Sequence, residues 1–164
     1  MLSIIIPTLN EEKYLPILLS QIKKQNFSGG EHEIIVADAG SKDKTVEIAE
    51  SFGCQIAKGG LPAKGRNEGA KIAQGDIFLF MDADNTYLPE KFLEKLIFEF
   101  KKRNLGVASC PLYPNGKKID KILYGIYNNF VNFTQIPFAT NVVLVKKEIF
   151  GKVGVIMESI NLDC

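Results

Sequence analysis

The sequence predicts a single α/β domain with a mostly parallel sheet and helices on both faces of that sheet. Short apolar segments of strand length alternate along the chain with amphipathic segments of helix length, as they do in successive βαβ units. The length of 164 residues and the 46% content of hydrophobic residues allow one domain with a buried core. Acidic residues follow two of the apolar segments, and ligands of such sheets bind at the carboxyl ends of the strands. The sequence therefore predicts a binding site along one edge of the sheet.

The first four strand and helix pairs follow from apolar spacing and from the residues that end each run. Strand segments are short apolar runs, and the first of them ends at Pro7. Helical segments have apolar residues three and four positions apart, with acids or proline at the start and Gly53 or Gly75 after the second and third helices. The predicted strands span 2–6, 33–37, 54–57 and 77–81. The predicted helices that follow them span 11–25, 41–52, 61–73 (with 62 as the alternative start) and 90–103.

The chain is less regular after Gly106. A polar stripe of one glycine and three asparagines runs along an otherwise apolar helical segment, at positions i, i+3, i+4 and i+7. This stripe is typical of a helix packed on several sides. The alternative is a helix that lies beside an acceptor substrate or at a membrane interface. Strands are predicted at 107–110 and 141–145, a loop at 111–116, and helices at 119–133 and 146–150.

Composition excludes several classes of function. Twenty basic and nineteen acidic residues give a net charge of +1, so there is no general electrostatic case for nucleic-acid binding. The cysteines, Cys54, Cys110 and Cys164, lack C-x-x-C spacing and are interpreted as reduced thiols. His32 is the only histidine, which argues against a histidine-based triad or metal cluster. We expect no secretory signal, because Met1 runs directly into the first apolar segment, and no apolar run approaches the roughly 20 residues of a spanning helix. The expected location is the cytoplasm or the cytoplasmic face of a membrane.

Two acidic residues separated by one position follow the predicted strand at 77–81. Side chains two apart on an extended backbone point the same way, so Asp82 and Asp84 could present two oxygen ligands to one divalent cation. The alternative for such a short motif is a solvated turn. Asp76, at the other end of the same strand, is predicted to end a turn.

Four segments of the chain resemble the family 2 glycosyltransferases of the GT-A fold. They read SIIIPTLNEEKYL, EIIVADAGSKDKTVEIA, KGRNEGAKIAQGDIFLFMDADN and ATNVVLVKKEIFGKVG, and they cover nearly the whole chain. The resemblance implies transfer of a sugar from a nucleotide-diphosphate sugar to an acceptor hydroxyl, with inversion and with Mn²⁺ or Mg²⁺ as cofactor. The implied partners are a UDP-, GDP- or dTDP-linked donor and a glycan or lipid-linked acceptor. The nucleotide-sugar half would span 1–105, and a partial acceptor half 106–164.

The resemblance implies that the donor nucleotide lies beside the residues that follow the first strand. Thr8 and Glu11 would contact the base or the ribose, and Pro7 and Asn10 would lie close by. An alternative for Asn10 and Glu11 is that they only cap the following helix.

Further donor contacts are implied after the second strand and in the third helix. Asp38 matches the first acid of the family's D-D-G-S motif and would accept a hydrogen bond from the base, whereas Ala39 replaces the second acid. Lys64 and Arg66 match the segment before the metal strand, where the arginine faces the diphosphate. A bound anion would also suit the positive end of that helix. Solvated surface residues are the alternative, above all for Lys64.

The metal site and the catalytic base complete what the resemblance implies. Asp84 would be the main metal ligand, and Asp82 would contact the ribose or the water shell of the metal. The metal would stabilise charge on the leaving diphosphate. Asp163 is the best match to the base that takes the acceptor's proton, with Glu158 as a second candidate and a frayed terminus as the alternative. Because family members continue past this base, we expect a chain truncated at its C-terminus.

Two other functions stay open on the sequence. A nucleotide-sugar-binding module without activity is compatible with Ala39 and with the early end of the chain. A sugar nucleotidyltransferase would share the nucleotide-binding half of the sheet. That class typically carries a glycine-rich, arginine-containing loop after the first strand, and PTLNEEKYL is neither glycine-rich nor basic.

Overall fold

The computed structural model describes residues 1–25, 30–110 and 142–153 of the chain. The strands are β1 (Leu2–Thr8), β2 (His32–Asp38), β3 (Gln55–Lys58), β4 (Ile77–Met81), β5 (Val107–Ser109) and β6 (Val142–Lys146). The helices are α1 (Leu15–Lys23), α2 (Thr45–Ser51), α3 (Pro62–Ile72), α4 (Phe92–Lys102) and α5 (Lys147–Val153). The predicted loop at 111–116 and helix at 119–133 lie outside the described residues.

The strands form one sheet with the order β3-β2-β1-β4-β6-β5. The first four strands in this order are parallel to one another, whereas β6 is antiparallel to both β4 and β5. This confirms the predicted mostly parallel sheet. Thr8 at the end of β1 is directly opposite Asp38 at the end of β2, and Ile5 is opposite Phe80 on β4. The carboxyl ends of β1, β2 and β4 therefore lie along one edge of the sheet.

Helices cover both faces of the sheet. On one face, buried residues of α1, α2 and α4 pack with alternate residues of the central strands, such as Ile4 and Leu79. On the other face, α3 and α5 pack with the residues in between, such as Ile5 and Phe78. Strands buried on both faces are apolar along their whole length, which is why the sequence shows continuous apolar runs instead of alternation. Within the described part of the chain, no helix is long and apolar enough to cross a membrane.

Helix α1 begins four residues later than the spacing predicts. Asn10 has a left-handed backbone with φ 57°, and the backbone N–H of Glu11 donates a 2.7 Å hydrogen bond to Thr45 Oγ1. The segment before α1 is therefore held against the start of α2 instead of continuing the helix. Asn10 does not cap α1 either, because its side-chain Oδ1 accepts a hydrogen bond from the N–H of Lys42. Helix α1 starts instead next to Pro16, which suits a first-turn position.

Helix α3 packs closely on the sheet because small residues face it. A Cβ atom on Gly65 would lie 3.1 Å from Pro7 Cβ, and one on Gly69 would collide with Ile5 Cγ2. Ala73, four residues further on, belongs to the same buried cluster as Ile5. This close approach places the first turns of α3 beside the carboxyl ends of β1 and β2.

We expect Gly69→Ala to destabilise the domain by about 1 to 3 kcal/mol, although alanine is the better helix former. The added methyl group has no space, because Ile5 is fully buried. Denaturant unfolding monitored by circular dichroism measures the change. The matched control is Gly151→Ala in α5, where nothing lies within 4 Å of the added atom. That variant should be neutral or gain up to about 1 kcal/mol, and equal effects of the two variants would contradict the packing argument.

A hydrogen-bond network around the partly buried carboxylate of Glu33 closes the opposite edge of the sheet. Glu33 accepts hydrogen bonds from Ser3 Oγ at 2.6 Å, from the N–H of Gln74 at 2.7 Å and from Gln55 Nε2 at 2.8 Å. Burial raises the pKa of Glu33, but these bonds and that from the Gly75 N–H outweigh it, so the pKa lies below 4.5. The ionised form of Glu33 therefore ties β1, β2 and the α3–β4 turn together.

We expect Glu33→Gln to lower the free energy of unfolding by about 1 kcal/mol at pH 7, because charge-assisted hydrogen bonds become neutral ones. A lowered folded-state pKa gives stability that is present above pH 4.5 and is lost as the pH falls through the folded pKa. The difference from the wild type should therefore shrink in acid. Unfolding curves between pH 3 and pH 7 test this sign, with the exposed neighbour Glu31→Gln as control. A difference in unfolding free energy between Glu33→Gln and the wild type that grows in acid would contradict a lowered pKa for Glu33.

Candidate functional site

A cleft of about 520 Å³ lies at the carboxyl edge of the sheet. Its lining comes from three strand ends and from the start of α3. The loop after β1 contributes Pro7, Thr8, Leu9 and Glu11, and Ala39 follows β2. The remaining lining residues are Gly60, Leu61, Pro62, Arg66, Asp82, Ala83 and Asp84.

The structure brings most of the sequence-predicted site residues to this cleft, but not all of them. Six line it directly: Pro7, Thr8, Glu11, Arg66, Asp82 and Asp84. Asp38, Asn10 and Lys64 lie near it and are not part of its lining. Asp163 and Glu158, the candidate bases, lie outside the described residues.

Asp38 is held by four hydrogen bonds from its own surroundings. Its Oδ2 accepts from the N–H groups of Gly40 and Ser41, both at 2.8 Å. Its Oδ1 accepts from the hydroxyls of Thr8, at 3.2 Å, and of Ser41. Burial raises the pKa of Asp38, but these bonds outweigh it, and the net shift is downward. Four donors fill the acceptor capacity of a carboxylate, so a ligand that reached Asp38 would have to replace one of them.

The loops after β1 and β2 are locked together by backbone to side-chain hydrogen bonds. The N–H of Asn10 donates to Ser41 Oγ at 2.8 Å, and the N–H of Glu11 donates to Thr45 Oγ1 at 2.7 Å. The N–H of Glu12 donates to Asp43 Oδ2 at 3.1 Å. Glu11 is therefore fixed at the cleft by residues that do not line it.

An ion pair joins α3 to the end of β4 across the cleft. Arg66 Nη2 donates to Asp82 Oδ1, and the two side chains are 21% and 32% exposed. Burial raises the pKa of Asp82, Arg66 opposes this, and the neighbouring Asp84 adds to it, so the net shift is upward. The Asp82 carboxylate is thus poorly hydrated, and the guanidinium group of Arg66 balances its negative charge only in part.

The lining carries an excess of negative charge. Burial raises the pKa of Glu11, and the charges of Asp84, Asp43 and Asp82 raise it further. Three carboxylates of the lining, from Glu11, Asp82 and Asp84, face a single guanidinium group from Arg66. This excess of negative charge favours the binding of a cation in the cleft.

Asp82 and Asp84 fit one wall of a divalent-cation site. They flank the buried Ala83 at the end of β4, and Asp84 is exposed and makes no hydrogen bond or ion pair with any described residue. Across residues 1–25, 30–110 and 142–153, no group of three or more His, Cys, Asp or Glu side chains is placed to hold a metal ion. A cation here would therefore take its other ligands from phosphate and water, which is how Mg²⁺ is commonly bound.

Sequence reasoning missed the residues that position the cleft. Ser41, Asp43 and Thr45 carry the interloop bonds, and the hydroxyl residues around the start of α2 were the only available signal. Leu9 and Leu61, which are 55% and 77% exposed, form apolar parts of the lining. Exposure of a leucine cannot be foreseen from its own identity.

The two thiols described in the structure are not part of the cleft. Cys54 and Cys110 are free, and burial raises the pKa of each to about 11, with Lys23 opposing the shift at Cys54. Both thiols are protonated at neutral pH and are poor nucleophiles.

We expect Thr45→Val to destabilise the interloop contact, because valine has the shape of the buried Thr45 side chain but offers no acceptor to the Glu11 N–H. The loss should be about 1 to 3 kcal/mol of unfolding free energy, and the Glu11 amide should exchange its hydrogen faster. Hydrogen exchange measured by NMR reports the local change. Thr45→Ser keeps the hydroxyl and should exchange like the wild type, so fast exchange in both variants would contradict a role for this bond.

Comparison with known protein families identifies one family for this chain. The family model described as Glycosyl transferase family 2 matches residues 3–152. The poly(ribitol-phosphate) β-N-acetylglucosaminyltransferase TarS of Staphylococcus aureus is 37% identical over 91 residues, which cover 51% of this chain and 16% of that protein. The match therefore spans a small part of that relative's length.

Two solved structures share the fold. S. aureus TarS in complex with UDP-GlcNAc superposes with a TM-score of 0.71 at 23% identity, over 93% of this chain and 47% of that one. The mannosyltransferase PcManGT from Pyrobaculum calidifontis, in complex with GDP-Man and Mn²⁺, superposes with a TM-score of 0.72 at 19% identity, over 94% and 46%. This chain thus spans just under half the length of each.

Proposed function

The chain belongs to glycosyl transferase family 2 and has the GT-A fold, and on this premise we propose that it transfers a sugar from a nucleoside-diphosphate sugar to an acceptor hydroxyl. The observation that carries this proposal is the charge arrangement of the cleft. Asp82 and Asp84 end a parallel strand beside Arg66, so a cation and a diphosphate could bind next to each other. Sheets of this type bind their ligands at this edge.

The donor is proposed to be a UDP-sugar or a GDP-sugar. TarS was solved with UDP-GlcNAc and PcManGT with GDP-Man, and both share the fold of this chain. Pro7, Thr8 and Glu11 line the cleft on the side of β1 and are proposed to contact the base and the ribose. Asn10 and Asp38 support that wall through the bonds described above, and a direct contact of Asp38 with the base stays a prediction.

The diphosphate is proposed to lie between α3 and the end of β4. Arg66 would donate to its oxygens, and the more exposed Lys64, on the same helix, would add long-range attraction. Asp84, with Asp82, would hold Mn²⁺ or Mg²⁺, which when bound neutralises charge on the leaving diphosphate. Inversion by single displacement, with Asp163 accepting the acceptor's proton, stays a prediction, as does an acceptor half at 106–164. The acceptor itself is proposed to be a glycan or a lipid-linked hydroxyl.

A cytoplasmic location is part of the proposal. Its support is the pair of free thiols, Cys54 and Cys110, since disulfides are rare in the cytosol.

The donor site is tested by calorimetric titration of UDP-GlcNAc and GDP-Man with and without Mn²⁺. We expect at least one donor to bind, and Asp84→Asn to weaken its Mn²⁺-dependent binding by roughly tenfold to a hundredfold, because a charged metal ligand is lost. Asp76→Asn removes the same charge from the opposite end of β4, where Asp76 pairs with the amino terminus, and should leave binding unchanged. Equal losses in both variants, or no metal-dependent binding of either donor, would sink the proposal.

A nucleotide-sugar-binding module without turnover is the second candidate. Ala39 favours it, because this residue lines the cleft where the resemblance places a second acid. Turnover of a bound donor separates the two candidates. Release of UDP or GDP in the presence of acceptor extracts supports the transferase, and donor binding without release supports the module.

A further inference from the structure

Arg66 holds a carboxylate that the proposed cation also needs. We propose that Arg66 couples the two ligands of the cleft, by pairing with Asp82 until a divalent cation takes that carboxylate and then turning to the diphosphate. This inference rests on the proposed function. It adds a second role for Arg66, as a competitor of the cation and not only as a contact of the phosphate.

The helix that carries Arg66 packs closely on the sheet, so we expect the side chain to change partners while the backbone stays in place. A Cβ atom on Gly65, the residue before it, would lie 3.1 Å from Pro7 Cβ, and one on Gly69 would collide with Ile5 Cγ2. The guanidinium group contacts Asp82 through one nitrogen, Nη2, and lines the cleft. An arginine has five N–H donors, so a rotation within the cleft can present others to a second anion.

The exchange of partners leaves neither charge unpaired. Both side chains of the pair are more buried than exposed, so each needs a partner, and the cation and the diphosphate would replace the two partners that are lost. A divalent cation carries twice the charge of Arg66 and is therefore the stronger partner for this carboxylate.

Competition for Asp82 produces positive coupling between the cation and the diphosphate. When Asp82 takes a cation, Arg66 is released and can bind an anion. When Arg66 binds an anion first, Asp82 is released for the cation. By linkage, each ligand must raise the affinity of the other by the same factor. Among the described lining residues Arg66 is the single basic side chain, so this coupling depends on it.

The first measurement is Mn²⁺ affinity of the full chain without nucleotide, by calorimetry or by the electron paramagnetic resonance signal of free Mn²⁺. Arg66→Met removes the competitor, and we expect Mn²⁺ to bind roughly tenfold more tightly than to the wild type. Lys58→Met is the matched control, because it removes the same charge from an exposed residue at the end of β3 that does not line the cleft and forms no ion pair with any described residue. It should change Mn²⁺ affinity by less than about twofold. Arg66→Gln serves as a second neutral variant if the methionine variant does not fold, with the same expected gain.

The second measurement repeats the Mn²⁺ titration with saturating UDP. In the wild type, UDP should raise the affinity for Mn²⁺. In Arg66→Met, the factor by which UDP raises that affinity should be roughly tenfold smaller, because Arg66 no longer competes with the cation for Asp82. Equal Mn²⁺ affinities of the wild type and both Arg66 variants would overturn the inference. So would a gain in Lys58→Met as large as that in Arg66→Met, which would indicate general electrostatics.

Failure of this inference is distinguishable from failure of the proposed function. If the wild type binds a nucleotide sugar with Mn²⁺ but the Arg66 variants bind Mn²⁺ no more tightly, only the competition is wrong. If the Arg66 variants gain Mn²⁺ affinity but no nucleotide sugar binds any form of the protein, the competition stands and the donor site is wrong.

Discussion

The close contact of α3 with the sheet is the constraint on which the cleft depends. Gly65 and Gly69 leave no room for side chains between the helix and β1, and this brings the start of α3 beside the ends of β1 and β2. Gly59, just before the helix, is equally confined, because a Cβ there would collide with the Ala37 carbonyl. Arg66 reaches Asp82 only because the helix is held at that distance. A bulkier face on α3 would widen the cleft and separate these two charges.

Around this contact, the site is stabilised by residues that do not touch the cleft. The bonds from the Asn10 and Glu11 amides to Ser41 and Thr45 fix the β1 loop, and Asp38 fixes the β2 loop through its own neighbours. The acidic lining is thereby kept in place although its charges repel one another. A bound cation would relieve this repulsion, which is why the acidic cleft with one arginine supports the proposed metal-bound diphosphate.

Much of this architecture was readable from local sequence. The apolar run at β4 and its bounds, Ile77–Met81, were predicted as observed, because a strand buried on both faces has no alternation to obscure it. The predicted start of α1 was wrong by four residues. The backbone N–H groups of residues 10–12 donate hydrogen bonds to side chains at the start of α2, more than thirty residues away in sequence. Helical periodicity contains no information on such long-range partners.

The sequence by itself determined the class of fold, the strand ends that carry polar residues, and the resemblance to family 2 that the family comparison confirmed. Those features depend on spacing along the chain, which is a local property. Only the tertiary structure decided which of the polar residues meet: Arg66 with Asp82 in the cleft, and Asp38 with Thr8 and Ser41 behind it. The physical reason is that hydrogen bonds and ion pairs are set by strand register and helix packing, and small differences in either one change the partner.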